Sequence, residues 1–156
     1  MRIIQYDNVD KFLERAGPLI YSKPVLYAQM VSIIETVQKD PNHYGDGALY
    51  ALVVVDKHEQ PIAAALRTPP FPLQVTELSE EAAQALADFF EEFDSDLPAV
   101  LGPGSDAWKF AKALCNTCRV PDLRLDMTLY ALRQVEHPTN PTGKLRRWHA
   151  NEFEHI

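Results

Sequence analysis

The pair Cys115 and Cys118, spaced C-x-x-C, is the first candidate for chemistry, because two thiols at this spacing suit a redox disulfide or half of a zinc site. A redox pair sits at a helix N-terminus, where the helix dipole lowers the thiol pKa. Here Asp106–Cys118 is predicted as a helix with both cysteines in its last turn. A zinc site needs two further ligands, and the sequence has no second C-x-x-C and no H-x-x-x-H. Packing is therefore favoured for both cysteines, with a metal or redox role as the alternative.

The histidines and hydroxyl side chains form no recognisable catalytic or metal-binding motif. On a helix, His149 and His155 would lie about 240° apart and would not converge on one ion. A frayed terminal segment is the better interpretation of that stretch. The chain also lacks the G-x-S-x-G sequence that marks a serine nucleophile. No catalytic residue, cofactor-binding residue, metal ligand or cofactor is therefore predicted.

The glycine-containing loop Gly102-Pro103-Gly104-Ser105 precedes a predicted helix and is the best candidate for a phosphate cradle. Proline removes one backbone donor, and Asp106 places a competing anion in the first helical turn. Two glycines alone are a weak signal. Phosphate binding at this loop is therefore not favoured.

Length, composition and charge exclude several classes of protein. The chain has 156 residues, of which 46% are hydrophobic and 24% charged, as in one ordinary globular domain. A net charge of −7 argues against a nucleic-acid binder that neutralises phosphates. The longest apolar run, Ala48–Val55, is too short for a membrane helix, and Met1–Asp7 lacks the core of a signal peptide. A cytoplasmic protein is expected, without nucleic-acid or membrane partners.

The negative charge is concentrated in one part of the chain. Residues 77–96 contain eight acidic side chains and no lysine or arginine, whereas the rest of the chain carries a net charge of +1. The acidity therefore belongs to one predicted helix and its flanks.

Apolar periodicity and breaker residues predict the elements that position these side chains. In the first half, Asn8 is expected to cap a helix that buries Val9, Phe12 and Ala16. The predicted elements are a strand at Arg2–Tyr6, the helix after Asn8, interrupted at Gly17-Pro18, a second helix that follows Pro24 and ends before Asp40, and strands at Leu49–Val55, Ile62–Leu66 and Leu73–Leu78.

The second half alternates helices and strands. Ser79 is expected to cap a helix with the buried stripe Ala82, Leu86, Phe89, Phe90 and Phe93. After a short strand at Ala99–Leu101, Ser105 is expected to cap a helix that buries Ala107, Ala111, Leu114 and Cys115. The cleanest strand signal is Leu123–Val135, where apolar and polar residues alternate.

The resulting order, β-α-α-β-β-β-α-β-α-β, predicts an α/β domain with a mixed sheet. This order is similar to that of the GNAT acetyltransferase superfamily. Ala63–Pro70, Leu97–Pro103 and Leu129–Arg146 resemble segments of the N-terminal, degenerate GNAT-like half of two-domain bacterial GNAT-type proteins. The resemblance implies a GNAT-like domain over residues 1–143 and a tail, 144–156, that would begin a missing second domain.

The same resemblance locates the family's chemistry on this chain. An active GNAT protein binds the CoA pyrophosphate at a glycine-containing strand-to-helix turn and uses a tyrosine as general acid. The corresponding turn, Gln74–Glu81, has no glycine and carries Glu77, Glu80 and Glu81, which would repel a pyrophosphate. The helix at 105–118 contains Trp108 and Phe110 but no tyrosine. Tyr130 lies on the last predicted strand and is expected to pack.

Two functions follow as alternatives. The first is a GNAT-related domain that is not itself catalytic and supports a separate or missing catalytic half, self-associates, or binds a partner or small ligand. The second is an active acetyl-CoA-dependent N-acetyltransferase that uses non-standard contacts. A ligand-binding α/β domain that only coincidentally resembles the family is a third option, which a central sheet without a splay between its strands would favour. An apolar patch for the partner is expected in the first case.

Overall fold

The chain folds as a mixed α/β domain. The computed structural model describes residues 1–45, 49–93, 97–115, 120–140 and 142–147. In these ranges it contains five strands and four helices: β1 Arg2–Tyr6, α1 Val9–Ser22, α2 Ala28–Lys39, β2 Tyr50–Val55, β3 Pro61–Arg67, β4 Leu73–Val75, α3 Glu80–Phe93, β5 Val100–Leu101 and α4 Gly104–Leu114. The first nine predicted elements therefore occur in the predicted order.

The strands form one mixed sheet in the order β1-β2-β3-β4-β5. The pairs from β1 to β4 are antiparallel, and β4 and β5 are parallel, with Leu73 opposite Val100 and Gln74 opposite Leu101. The predicted meander of central strands is thus confirmed. Helix α3 forms the crossover that a parallel β4–β5 pair requires.

The sheet is covered by helices on both faces. Ala51, Val53 and Val55 of β2 pack with α1 and α2, whereas Leu52 and Val54 pack with α3 and α4. Successive strand residues point to opposite faces, and both faces of β2 are covered by helices. The sequence of β2 is therefore apolar throughout rather than alternating. The core therefore has two layers, one on each side of the sheet.

Helix α1 begins as predicted and ends later than predicted. The Asn8 side chain accepts hydrogen bonds from the backbone N–H groups of Asp10 and Lys11, at 2.7 and 3.3 Å. The expected interruption at Gly17-Pro18 is wrong, because the helix continues to Ser22. Pro18 is exposed, so water can satisfy the carbonyl that loses its donor, while Ile20 holds the last turn in the core.

Helices α3 and α4 differ from prediction in the residues that they bury. Ala82, Leu86 and Phe90 of the predicted α3 stripe are buried, but Phe89 is half-buried and Phe93 is exposed. In α4 the predicted residues Ala107, Ala111, Leu114 and Cys115 are half-buried rather than buried, whereas Phe110, which the prediction left out, is fully buried. Phe110 turns toward Phe90, with ring centroids 6.0 Å apart in an edge-to-face contact. Because residues three and four positions apart share one helix face, Phe110 lies beside Ala107 and Leu114 and is the most deeply buried apolar side chain of α4.

The cap of α4 also differs from prediction. The helix begins at Gly104 after Pro103, and it has no side-chain cap. Ser105 therefore lies inside the first turn, and the Pro103 carbonyl accepts the N–H groups of Asp106 and Ala107, both at 2.9 Å.

The predicted strand at Leu123–Val135 is wrong in this structure. Residues 120–140 form no strand, and all but one of them are exposed. The alternation of apolar and polar residues defines a face that can be buried, but a strand also needs a neighbour for its backbone hydrogen bonds. No such neighbour lies beside this segment within the described part of the chain.

Candidate functional site

The turn between β4 and α3 gathers charged and hydroxyl side chains from three parts of the chain. We refer to Lys23, Tyr27, Glu77, Asp106 and Lys109 as the turn cluster. Lys23 Nζ lies 2.5 Å from Glu77 Oε1. Lys109 Nζ lies 2.9 Å from Asp106 Oδ1 and donates to the Leu78 carbonyl at 2.8 Å. The turn is therefore held by both the segment after α1 and helix α4.

Each lysine of the turn cluster is kept protonated by its carboxylate. The hydrogen bond to Glu77 raises the pKa of Lys23, and the hydrogen bond to Asp106 raises the pKa of Lys109. Both ammonium groups donate to carboxylates of the chain, so neither lysine is placed to act as a neutral general base. The Lys23–Glu77 pair is half exposed, so its contribution to stability is small.

The N-terminus of α3 is occupied by groups of the chain itself. The Ser79 hydroxyl oxygen accepts the N–H of Ala82 at 3.2 Å, which confirms Ser79 as the cap. The Glu81 carboxylate bonds to its own backbone N–H and to the Ser79 hydroxyl, and these bonds lower the pKa of Glu81. Upstream, the N–H of Glu77 donates to the Tyr27 hydroxyl oxygen at 3.1 Å. A carboxylate of the protein thus holds the positive end of the helix dipole.

The space between β4 and β5 closes beside this turn. Gly102, directly after β5, lies so close to β4 that a Cβ atom placed on it would be 2.7 Å from the Val75 carbonyl oxygen and 2.6 Å from a Val75 methyl carbon. Only glycine allows two backbones to approach this closely. The two strands therefore stay in contact up to the residue after β5.

A pocket of about 210 Å³ lies at the opposite end of the strands, where β1 and β3 end and β2 begins. Its walls include Asp7 and Asp10 at the start of α1, Gln38 at the end of α2, Tyr44, and Thr68 after β3. The Gln38 amide donates to Asp10 Oδ1 at 2.6 Å across one wall. The sequence analysis did not single out these residues, because they are brought together only when α1, α2 and β3 pack.

Comparison with known proteins identifies no relative. No protein-family model, no curated protein and no solved structure matches this chain. The function is therefore inferred from the chain's own residues.

The candidate residues singled out in the sequence do not assemble into one site. Cys115 is a free, half-buried thiol directly after α4, whereas Cys118, His149 and His155 lie outside the described residues. The described ranges contain no group of three or more histidine, cysteine, aspartate or glutamate residues placed to hold a metal ion. Nor does any helix in those ranges combine the length and apolar character that crossing a membrane requires.

The aromatic residues considered for acid–base roles are also dispersed. Trp108 is on the exposed side of α4 with the Lys112 ammonium 5.6 Å from its ring centroid, and Phe110 is in the core. Tyr130 is 88% exposed on the segment that forms no strand, so its expected packing is wrong. Tyr27 is the tyrosine that reaches the turn, and the sequence analysis missed it because its contact spans 50 residues.

Tyr27→Phe is expected to lower the free energy of unfolding by about 1 kcal/mol, because it removes the hydroxyl that accepts the Glu77 N–H. Urea unfolding at neutral pH measures this loss. Tyr21→Phe is the matched control, since Tyr21 is half exposed and its substitution should change stability by less than about 0.5 kcal/mol. Equal effects of the two substitutions would contradict the role given to Tyr27.

Tyr27→Phe should also change how the stability of the chain depends on pH. Burial raises the pKa of Tyr27, so the unfolded chain loses this proton first as the pH rises. The contribution of neutral Tyr27 is therefore complete below about pH 10, the usual tyrosine value, and is lost as the pH rises through the folded-state pKa. Tyr27→Phe should reduce the alkaline fall in stability, whereas Tyr21→Phe should leave it unchanged.

Proposed function

We propose that this chain is a GNAT-related domain that does not catalyse acetyl transfer and acts by associating with a protein partner. The order of its first nine elements and its mixed sheet are compatible with such a domain. In an active member of that superfamily, the turn equivalent to β4–α3 would hold the CoA pyrophosphate on free backbone N–H groups. Whether the backbone N–H groups of this turn are free therefore decides the proposal.

The decisive observation is that backbone donors at the start of α3 are already used within the chain. The Ser79 hydroxyl oxygen accepts the N–H of Ala82 at 3.2 Å, and the Tyr27 hydroxyl oxygen accepts the N–H of Glu77 at 3.1 Å, and these are the kinds of donor that a phosphate would use. A pyrophosphate arriving there would meet the carboxylates of Glu80 and Glu81 and would have to displace these bonds and the Lys23–Glu77 ion pair. Side chains of the protein itself therefore oppose the binding of a pyrophosphate at this turn.

Two further observations support the absence of acetyl transfer. A pantetheine arm would need a gap between β4 and β5, and the contact of Gly102 with Val75 fills that place. This closed pair also favours the third option, an α/β domain that only coincidentally resembles the family. A general acid would have to reach the reacting amine or thiol. The described part of α4 offers exposed Trp108 and buried Phe110 in the region where the family places its tyrosine.

An acetyl-transfer assay tests the proposal. The chain is incubated with acetyl-CoA and a panel of primary amines, and free CoA is quantified by chromatography, which avoids interference from Cys115. We expect no release above the rate in buffer. Release that depends on the amine and saturates with its concentration would instead support an active N-acetyltransferase with non-standard contacts.

A further inference from the structure

The pocket where β1 and β3 end and β2 begins, which we call the strand-end pocket, has both apolar and polar walls. Val9, Val37 and Leu49 are among its apolar residues, and Asp10 and Thr68 are among its polar ones. Its volume of about 210 Å³ is below the roughly 300–1,000 Å³ typical of sites for drug-sized molecules. The pocket therefore suits a small ligand that has an apolar part and a polar end.

The charge of the strand-end pocket favours a cation. The described residues that line it include the carboxylates of Asp7 and Asp10 and no lysine, arginine or histidine. Asp10 Oδ1 accepts the Gln38 amide at 2.6 Å, and a carboxylate has room for further donors beyond one. Asp7 lies 3.6 Å from Lys11 Nζ in an exposed pair, which water screens. Asp10 is therefore the better placed of the two to receive a cationic group.

Thr68 adds a buried polar group to the same pocket. Its exposed fraction is 7%, and within the described residues its hydroxyl has no hydrogen-bond partner. The preceding residue, Arg67, lies over the Tyr50 ring on the face of the sheet covered by α3 and α4. Because neighbouring residues of an extended chain point to opposite faces, the Thr68 side chain points toward α1 and α2, where the pocket lies. A buried hydroxyl without a partner is costly, so a ligand that bonds to it would be favoured.

An anion and a metal ion suit this pocket less well. The N–H groups of Asp10 and Lys11, at the start of α1, already donate to the Asn8 side chain, so they are not free for an anion. A metal ion would need more ligands than the pocket supplies, since the described residues contain no group of three or more metal-ligating side chains. Apolar walls beside one carboxylate and one hydroxyl favour an organic cation instead.

We propose that the strand-end pocket binds a primary ammonium group carried on a short alkyl chain. The ammonium has three donors, of which one bonds to the Asp10 carboxylate and one to the Thr68 hydroxyl oxygen. The alkyl chain packs on Val37 and Leu49, and the aromatic ring of Tyr44, another wall residue, adds attraction for the positive charge. A free alkylamine and a lysine side chain of another protein share this chemistry. The pocket lies at the end of the sheet opposite the β4–α3 turn, so the inference does not rest on the proposed function.

Nuclear magnetic resonance titration of the full chain with n-butylammonium tests the proposal. We expect saturable shifts of the amides of residues 7–10, 38 and 68, and unchanged amides along α3. n-Butanol has the same number of heavy atoms and no charge, and it should give no saturable shift at the same concentrations. The tripeptide glycyl-lysyl-glycine distinguishes the two sources of the ammonium. Tighter binding of the peptide than of n-butylammonium would assign the pocket to a lysine side chain, and weaker binding would assign it to a free amine.

Matched variants identify the residues that bind. Asp10→Asn should weaken n-butylammonium binding about tenfold, because it removes a charge-assisted hydrogen bond. Asp88→Asn is the control, since Asp88 is an exposed carboxylate that accepts the Gln84 amide at 2.7 Å but lies on α3, and it should leave the affinity unchanged. Thr68→Val keeps the shape of the side chain and should weaken binding about threefold. No saturable shift with n-butylammonium, equal binding of n-butanol, or equal weakening by Asp10→Asn and Asp88→Asn would each overturn the proposal.

Discussion

Phe110→Ala is expected to lower the free energy of unfolding by about 3–5 kcal/mol, the usual range for deleting a fully buried aromatic side chain. Phe110 has no exposed surface and packs edge-to-face on Phe90, so its loss leaves a cavity between α3 and α4 on one face of the sheet. Denaturant unfolding followed by circular dichroism measures the change. A domain of this size is stable by only about 5–15 kcal/mol, so the variant should unfold at a clearly lower denaturant concentration.

Phe93→Ala provides the control for this measurement. Phe93 is also an aromatic residue on α3, but it is 56% exposed and contacts Phe89 at the surface. Its removal should cost less than about 1 kcal/mol. If Phe110→Ala were as mild as Phe93→Ala, the deep burial of Phe110 between α3 and α4 would be incorrect.

Gly102→Ala should destabilise the chain by about 1–3 kcal/mol, the usual range for overpacking, and the value should lie toward its upper end. The added Cβ would approach the Val75 carbonyl oxygen to 2.7 Å, and backbone atoms cannot move aside as a flexible side chain can. Relief requires β4 and β5 to separate, which weakens a parallel pair that is only two residues long. Thermal and urea unfolding should both report the loss.

Gly104→Ala is the matched control for Gly102→Ala. Gly104 is two residues away, is the first residue of α4, and has open space where a Cβ would lie. Alanine there restricts the unfolded chain and favours the helix, so stability should rise by about 0.4–1 kcal/mol. Destabilisation by both substitutions to the same extent would contradict the close approach of β4 and β5.

Local signals in the sequence predict most of the fold. Asn8 and Ser79 are side-chain caps at the predicted positions, because their cap bonds involve residues only two or three places away. The central strands are also found where apolar runs are bounded by breakers, although β4 ends at Val75 rather than Leu78. These features depend on residues that are close together in the sequence, so they can be predicted from the sequence alone.

Features set by distant contacts could not be predicted in this way. Phe110 shares a helix face with Ala107 and Leu114, but the sequence alone does not show that its contact with Phe90 of α3 makes it the most deeply buried of them. The Pro18 break did not occur because tertiary packing of Ile20 outweighs the local penalty. The alternation at Leu123–Val135 forms a strand only when a sheet edge lies beside it, and among the described residues no strand pairs with this segment.

The candidate site was predictable in part for the same reason. The acidic residues of the turn are adjacent in sequence, so their conflict with a bound pyrophosphate can be read directly. The hydroxyl of Tyr27 and the ammonium of Lys109 reach that turn from 50 and 31 residues away. Their contribution to closing it required the structure.

Calorimetric titration of the intact chain with acetyl-CoA tests the central claim most directly, because it measures cofactor binding whatever the acceptor amine is. With the N–H groups of Glu77 and Ala82 already bonded within the chain and the β4–β5 gap filled at Gly102, we expect no saturable heat. Saturable binding with a Kd tighter than about 100 µM, equivalent to about 5.5 kcal/mol, would contradict the account and show that this domain holds acetyl-CoA.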